Sequence, residues 1–544
     1  MRSKPRGGSA VVLALVAGTV LLAFAPIAGA ASCPGAVDDA VFAGKAQLRK
    51  LVEQENSFGA RILGSPAHNK TLDWIKDEAR DIDGFKVRTG PYKVYRWLPR
   101  TRMKDGPGLD IGRAGAISVA QPDGSTVNVP DAGAVHWSKP TGKRGQGGPL
   151  VYLGPDEDIT AANAAGKVVI RDFPSSSLPY GAFGFVGLYV TPDLASETGD
   201  YARPYLNSLQ DELLAAGRAG AAGVILAFDL PRKQVRGYYD PHTGTIYSVP
   251  GVFVGGSEAE QLKALAAKGG SASVAVRARV DRAKTRNVIA TLPGRSREKI
   301  ALMANTDGNS WVQENGVAGM LALGRYHASL PMRCRPRTLE LAFTSAHDAI
   351  VEDGAERYSA RLNAEYEAGE VAFGFAIEHL GTREILPAGE GAGGQLAFTG
   401  VGEPFLFAAG DSDVLRQTAV AVTQNRNLDR TAVLRGIGVP VQGQVPPICS
   451  MGGLGNFFHR RLIPTLAMIS GPWSLYDPVF GRNAIDFGRM RAQLLAAGDA
   501  ILALDDLPRE QIAGDYLTYR EQLAQGAPTC PPEIYPQFGP GPGE

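Results

Sequence analysis

Cysteine is scarce in this chain: 544 residues contain four, Cys33, Cys334, Cys449 and Cys530. None has zinc-finger spacing, which excludes a structural zinc module of that kind. In an exported protein an even count implies disulfides, with three possible connectivities for four cysteines. The expected pairing is Cys33–Cys530, tying the two ends, with Cys334–Cys449 inside the main domain. Excess charge of one sign is also lacking. Lys and Arg number 56 against 55 Asp and Glu, for a net charge of +1, so nothing electrostatic favours nucleic acid as a partner. Beyond the N-terminus no run approaches the ~20 apolar residues that a membrane-spanning helix needs. There is no internal repeat.

What is present begins with an export signal. Arg2, Lys4 and Arg6 form a basic region, residues 11–24 an apolar core, and Ala28-Gly29-Ala30 a small-residue cleavage site. The expectation is a secreted, extracellular protein with signal peptide 1–30 and no stable membrane span after cleavage. An uncleaved anchor is the alternative. The length implies several domains, and 44% hydrophobic residues are enough for sizeable cores.

The stretch 287–348 organises the rest. Residues 287–292 and 299–304 read as apolar strands, 317–330 as a helix with apolar residues at helical spacing, and 338–343 as a third strand. The strand ends are polar: Asn305-Thr306-Asp307-Gly308 after one, Ser345-Ala346-His347-Asp348 after the other, with Glu314-Asn315-Gly316 in the loop between. Strand, helix, strand with polar C-terminal ends is a parallel α/β unit, and such sheets bind ligands beyond the carboxyl ends of their strands. Asp307, Glu314, His347 and Asp348 should therefore share a cleft. A further strand from 371 ends on Glu378-His379-Leu380-Gly381, which adds Glu378 to the set.

Upstream, helices are expected at 43–54 and 70–81, the second capped by Asn69, followed by a strand pair at 85–89 and 92–97. His68 reads as a polar residue at a helix entrance. Residues 145–283 form a separate mainly-β unit, and the aromatic, Gly- and Pro-rich stretch 173–203 has the character of a lid. Downstream, 384–412 reads as irregular, 414–425 and 483–504 as helices, and 463–469 as a strand. A Pro-rich tail follows 525.

This order of motifs resembles the M28 family of secreted zinc aminopeptidases, whose segments read roughly N-V-I-A-x-x-P-G, A-H-x-D, D-N-x-x-G and A-E-E. The matching frame here is Asn287-Val288-Ile289-Ala290, Asn305-Thr306-Asp307, Glu314-Asn315-Gly316 and Ala346-His347-Asp348. The inserted unit resembles a protease-associated (PA) domain through Gly166-Lys167-Val168-Val169-Ile170, Ala219-Gly220-Ala221-Ala222-Gly223-Val224-Ile225 and Val249-Pro250-Gly251-Val252. The resemblance implies an α/β fold with a phosphorylase/hydrolase-like mixed sheet flanked by helices, residues 31–144 and 284–525. A PA-like domain at 145–283 would cover the cleft or select substrate, and 526–544 would be a tail.

The family holds two zinc ions through two His, two Asp and one Glu, with another Glu as general base. Carried over by position, the first His becomes Asn305, while the Asp that orients it stays as Asp307. The bridging Asp becomes Glu314, the base Glu becomes His347, and its neighbouring ligand Glu becomes Asp348. The next Asp becomes Glu378 and the final His becomes Tyr476; His459 lies in the glycine-rich loop before residue 463. Both zinc-ligating imidazoles are lost and the acidic positions stay acidic with altered side-chain lengths. The zinc pair is therefore not expected. The cofactor is none, or a single divalent cation at Glu314, Asp348 and Glu378, since oxygen donors favour Ca²⁺ or Mg²⁺ over zinc.

The expected catalytic residues are Asp307, Glu314, His347, Asp348 and Glu378, with Asn305, His379, His459 and Tyr476 lining the cleft. The structural alternatives are loop caps for Asp307 and Glu314, a buried hydrogen-bonded pair for Glu378 and His379, and a backbone anchor for His459. Three functions remain open. One is a secreted hydrolase on the aminopeptidase-like scaffold, acting on peptides or aminoacyl compounds. Another is a metal-free carboxylate hydrolase such as a glycoside hydrolase acting on a glycan. The last is a non-catalytic binding protein.

Overall fold

The computed structural model describes residues 33–102, 109–203, 209–238, 246–350, 353–388, 395–436, 451 and 453–528. Among these, a nine-stranded sheet runs in the order Lys86–Pro99, Ala278–Leu292, Thr338–Thr344, Lys299–Asn305, Val371–Ile377, Thr465–Ser470, Phe405–Ala409, Thr431–Arg435, Gly187–Val190. The four central strands, Thr338–Thr344 to Thr465–Ser470, are mutually parallel. Every residue of Thr338–Thr344 and of Val371–Ile377 is buried, as expected where helices cover both faces of a parallel sheet. Alternate residues serve opposite cores. Ile300, Leu302 and Ala304 pack under helices Gly316–Ser329 and Phe487–Asp505, while Ala301 and Met303 face helix Asp353–Glu367 and Phe458.

A second sheet closes into a barrel, in the order Gly251–Val254, Thr126–Ala134, Gly115–Ala120, Ser271–Val276, Gln146–Tyr152, Val168–Phe173, Gly223–Phe228, around its own apolar core. It takes in strands from 115, upstream of the expected boundary at 145. Conversely, Gly187–Val190 leaves the barrel region and pairs with the edge of the large sheet. The expected strand across 272–280 divides at Arg277. Ser271–Val276 belongs to the barrel and Ala278–Leu292 to the large sheet.

Three further expectations are corrected. The strand pair at 85–97 is one strand, Lys86–Pro99, paired along its whole length with Ala278–Leu292. Pro91 is accommodated because this strand lies at the sheet edge, where a missing N–H breaks no ladder. The stretch 384–412 is ordered as a hairpin, Arg383–Ala388 with Gln395–Gly402, and then a sheet strand, Phe405–Ala409. The helix after Gly64 starts earlier, at Pro66, because Ser65 rather than Asn69 caps it: the Ser65 side chain accepts the His68 N–H, and Pro66 occupies the first turn, where its missing N–H costs nothing. No described helix is long and apolar enough to cross a membrane.

Cys33 pairs with Cys334, Cα–Cα 5.2 Å, not with Cys530. The chain start is laid along the helical face, with Val37 N–H donating to Asp499 Oδ1 at 2.7 Å and Asp38 N–H to the Tyr326 hydroxyl at 3.0 Å. That path delivers Cys33 to the turn Met332–Cys334. Cys449 and Cys530 lie outside the described residues, so the Cys334–Cys449 pairing fails through Cys334 alone. The bridge closes a loop with a sequence separation of 301, a large constraint on the unfolded chain. The double substitution C33A/C334A should cost about 2–4 kcal/mol in denaturant unfolding under non-reducing conditions. An unchanged midpoint would show that the bridge does not form.

Candidate active site

The cleft forms where Lys299–Asn305 and Thr338–Thr344 end side by side. Asn305 sits opposite Thr344 in the ladder and accepts its hydroxyl at 2.9 Å. Beyond them, Asp307 is wholly buried. Its Oδ2 accepts the Asp348 N–H at 2.8 Å, which fastens the two strand ends together. Ala346, at φ +70°, turns the second loop back. A left-handed residue other than glycine is uncommon, and such strain clusters at functional sites. The turn brings His347 Nδ1 to 2.9 Å from Glu314 Oε1 and 3.2 Å from the Asp307 carbonyl oxygen. Both neighbours are acceptors, so Nδ1 carries the hydrogen and Nε2 the lone pair. Asp348 Oδ1 lies 4.0 Å from the same Nδ1. Glycine is required at 308, where a Cβ would come within 2.4 Å of Glu314 Oε2.

Three residues that sequence reasoning assigned no part here complete the cluster. His68 accepts the Gly64 N–H on Nδ1 at 3.1 Å, so its hydrogen is on Nε2, which donates to Thr306 Oγ1 at 3.0 Å. That hydroxyl in turn donates to the Thr344 carbonyl at 3.0 Å. His68 Nε2 is also 3.8 Å from Asp307 Oδ1. Burial first, then the nearby Arg61 and Arg286, pull the His68 pKa down to about 3, so the ring is neutral. Arg61 and Gly308 exchange backbone hydrogen bonds at 2.7 and 3.2 Å. The Arg61 guanidinium donates to Ser310 O at 2.9 Å and stands 3.7 Å from Glu55. A signal for two of them was available. Glu55 continues the buried stripe Leu48, Leu51, Val52, and His68 begins the stripe Leu72, Ile75, Ala79; a charged or titratable side chain on an apolar helix face requires a partner.

The barrel reaches the same place. Trp137, at φ +61°, donates its indole N–H to the Asp348 carbonyl at 2.8 Å. Gly237 donates its N–H to Asp477 at 3.1 Å and accepts Asn309 Nδ2 at 3.1 Å.

The remaining expected residues are placed differently. Glu378 follows Val371–Ile377 at the same sheet end, but its Oε1 accepts the Leu454 N–H at 2.7 Å and is pressed against Gly453. His379 bonds the Ser470 carbonyl through Nδ1 at 2.7 Å, tying two strand ends. His459 corrects its expectation: its Nδ1 meets the Tyr516 hydroxyl at 2.6 Å, beside the start of Thr465–Ser470 and so at the opposite end of the parallel strands. Helix Gly455–His459 starts beside Glu378 at the cleft end and runs back toward the start of that strand, which carries His459 away from the cleft. The Tyr476 side chain lies outside the described residues.

Electrostatically the cluster is dominated by burial. Desolvation pushes Asp307 up to about 7, against the attraction of His347. It pushes Glu55 up to about 8, with Arg61 opposing and Glu314 adding to the rise. Among the described residues, no group of three or more His, Cys, Asp or Glu is arranged to hold a metal ion.

No family model and no curated protein sequence matches the chain. Solved structures do. The chain is similar to BSAP, a zinc aminopeptidase from Bacillus subtilis, at 14% identity and TM-score 0.56, covering 86% of this chain and 97% of that one. It is similar to a peptidase M28 precursor from Shewanella amazonensis SB2B, at 16% and 0.56, covering 86% and 93%. An aminopeptidase from Aneurinibacillus sp. strain AM-1 matches at 17% and 0.52, covering 84% and 93%. At these identities the likeness establishes the fold: a mixed α/β architecture with a large mixed sheet flanked by helices, of the zinc-aminopeptidase type.

The Glu55 carboxyl has a folded pKa above its ordinary 4.5, so the folded state holds its proton more tightly than the unfolded state does. Its contribution to stability is full below about 4.5 and is lost as pH rises towards about 8. E55Q, which stays neutral, should gain on the wild type by a few kcal/mol across that window. Parallel unfolding curves against pH test this; a constant difference between the two proteins would refute it.

Proposed function

We propose that the chain is a secreted hydrolase on an aminopeptidase-like scaffold, with His347 as general base and Glu314 as its partner. One observation carries this reading: His347 Nδ1 stands 2.9 Å from Glu314 Oε1. The Asp307 carbonyl at Nδ1 fixes the neutral tautomer, and the Glu314 carboxyl beside it would stabilise the imidazolium that forms when Nε2 takes a proton. Asp307 is a positioning residue, since its carbonyl accepts from His347 Nδ1 and its carboxyl holds Asp348 N–H.

The proposed substrate class, taken from the scaffold, is a peptide or aminoacyl compound. As the carbonyl is attacked, His347 Nε2 takes one proton from water and the new C–O bond forms. The imidazolium then returns that proton to the leaving nitrogen as the C–N bond breaks, giving a carboxylic acid and an amine. Glu314, 2.9 Å from Nδ1, is placed to offset the positive charge of that imidazolium.

A zinc pair of the kind that the M28 resemblance implies fits this donor set poorly. Asn305 supplies an amide whose oxygen already accepts the Thr344 hydroxyl, and Glu314 is turned onto His347. Zinc sites generally need at least three good protein ligands. The barrel is read as a PA-like insert, supported by its closed sheet and its contacts at Trp137 and Gly237. Export is inferred from the signal-like residues 1–30, which lie outside the described residues.

Purified without chelator, the protein should hold fewer than two tightly bound zinc ions per chain by elemental analysis. In a panel of aminoacyl, ester and glycoside chromogenic substrates, H347A should lower kcat/KM by about 10²–10⁴-fold. E314Q should lower it less, and neither should alter the fold by circular dichroism. Two zinc ions per chain, or full activity in H347A, would overturn the assignment; glycoside cleavage alone would move the substrate class to glycans.

A further inference from the structure

Helices Lys45–Asn56, Pro66–Arg80 and Gly316–Ser329 enclose a half-open cavity of about 550 Å³. It is separate from the cleft: Ala322 on its wall lies about 9 Å along its helix from Gly316, where the loop carrying Glu314 ends, at 1.5 Å per residue. Leu51, Trp74, Ala322 and Tyr326 give the walls apolar and aromatic surface, interrupted by the polar Gln47, Gln54 and Ser329. Val41 also lines it and is 57% exposed, apolar surface left to water at the cavity.

The charged groups there are unevenly committed. Glu78 accepts the Trp74 indole N–H at 3.1 Å and is ion-paired with Arg325. Its charge is therefore spent inside the wall. Lys50 also lines the cavity, is exposed, and belongs to no ion pair among the described residues. With Glu78 and Arg325 cancelling each other, the lining's one uncompensated charge is Lys50. Small-molecule sites typically enclose roughly 300–1,000 Å³ of mostly apolar wall with a few polar groups that fix orientation, and this cavity has both features.

We propose that this cavity binds a small amphiphile with an apolar body and a single anionic head. The body would lie against Trp74, Leu51 and Tyr326 and cover Val41, and the head would meet Lys50 at the rim. The proposal is independent of the chemistry assigned to His347.

The test is calorimetric titration of the full chain with sodium decanoate and with decanol. Wild-type protein should bind decanoate saturably at one site per chain and bind decanol more weakly. K50E changes an exposed side chain and should weaken decanoate roughly fivefold to tenfold while leaving decanol unchanged. V41D, which places a charge beside the apolar body, should weaken both. Absence of saturable decanoate binding, or equal decanoate affinity in wild type and K50E, would overturn the proposal. So would equal affinity of wild-type protein for decanoate and decanol. Hydrolysis measured in parallel should be unaffected by K50E, so failure here and failure of the His347 assignment are separately visible.

Discussion

The Asp307 carboxyl holds the candidate site together. Its Oδ2 accepts the Asp348 N–H at 2.8 Å, its carbonyl oxygen accepts from His347 Nδ1 at 3.2 Å, and its Oδ1 lies 3.8 Å from the neutral His68. Through these contacts two adjacent parallel strands share one rigid C-terminal corner. The corner has a cost. A carboxyl removed from water favours its neutral form, and Asp307 is pushed up to about 7 by burial. His347 and the Asp348 N–H oppose that cost, and the N-terminal block pins the same loop through the backbone exchange between Arg61 and Gly308. The network is only partly satisfied, since Asp307 Oδ1 has no hydrogen-bond partner among the described residues, and partly satisfied buried networks are expensive.

The two sheets meet at this corner. The large sheet provides the acids and the histidine, and the barrel provides Trp137 and Gly237, each through a backbone or indole group rather than a charge. Asp477 receives Gly237 N–H while Asn309, two residues beyond Asp307, donates to Gly237 O. The barrel is thereby fastened both to the loop that carries Asp307 and to the segment following Thr465–Ser470. On the proposed reading this twice-fastened wall would act on which substrates enter, not on the proton transfers.

Much of this was legible in the residues. The parallel strands of the central unit read as apolar runs because they are buried on both faces, and their polar ends gave Asp307, Glu314, His347 and Asp348 directly. Long-range geometry was not legible. Glu55 and His68 belong to helices whose stripes advertised a buried titratable group, but nothing local said which strand end they meet. Trp137 and Gly237 enter from another sheet, on a left-handed residue and a backbone contact that leave no periodic mark. Positional transfer failed for His459, because the short helix Gly455–His459 runs from Glu378 at the cleft end back to the opposite end of the strands. The disulfide was misassigned because pairing depends on the path of residues 33–44 across the helices, which composition does not encode.

The account rests on a histidine whose tautomer is set by the Asp307 carbonyl beside the Glu314 carboxyl, and ¹⁵N NMR of histidine-labelled protein observes that directly. The His347 resonances are assigned by their disappearance in H347A. For the neutral ring the account predicts hydrogen on Nδ1 and the lone pair on Nε2, as the two acceptors at Nδ1 require. Hydrogen on Nε2 with the lone pair on Nδ1 would contradict it, because Glu314 would then neither orient the ring nor support its charge.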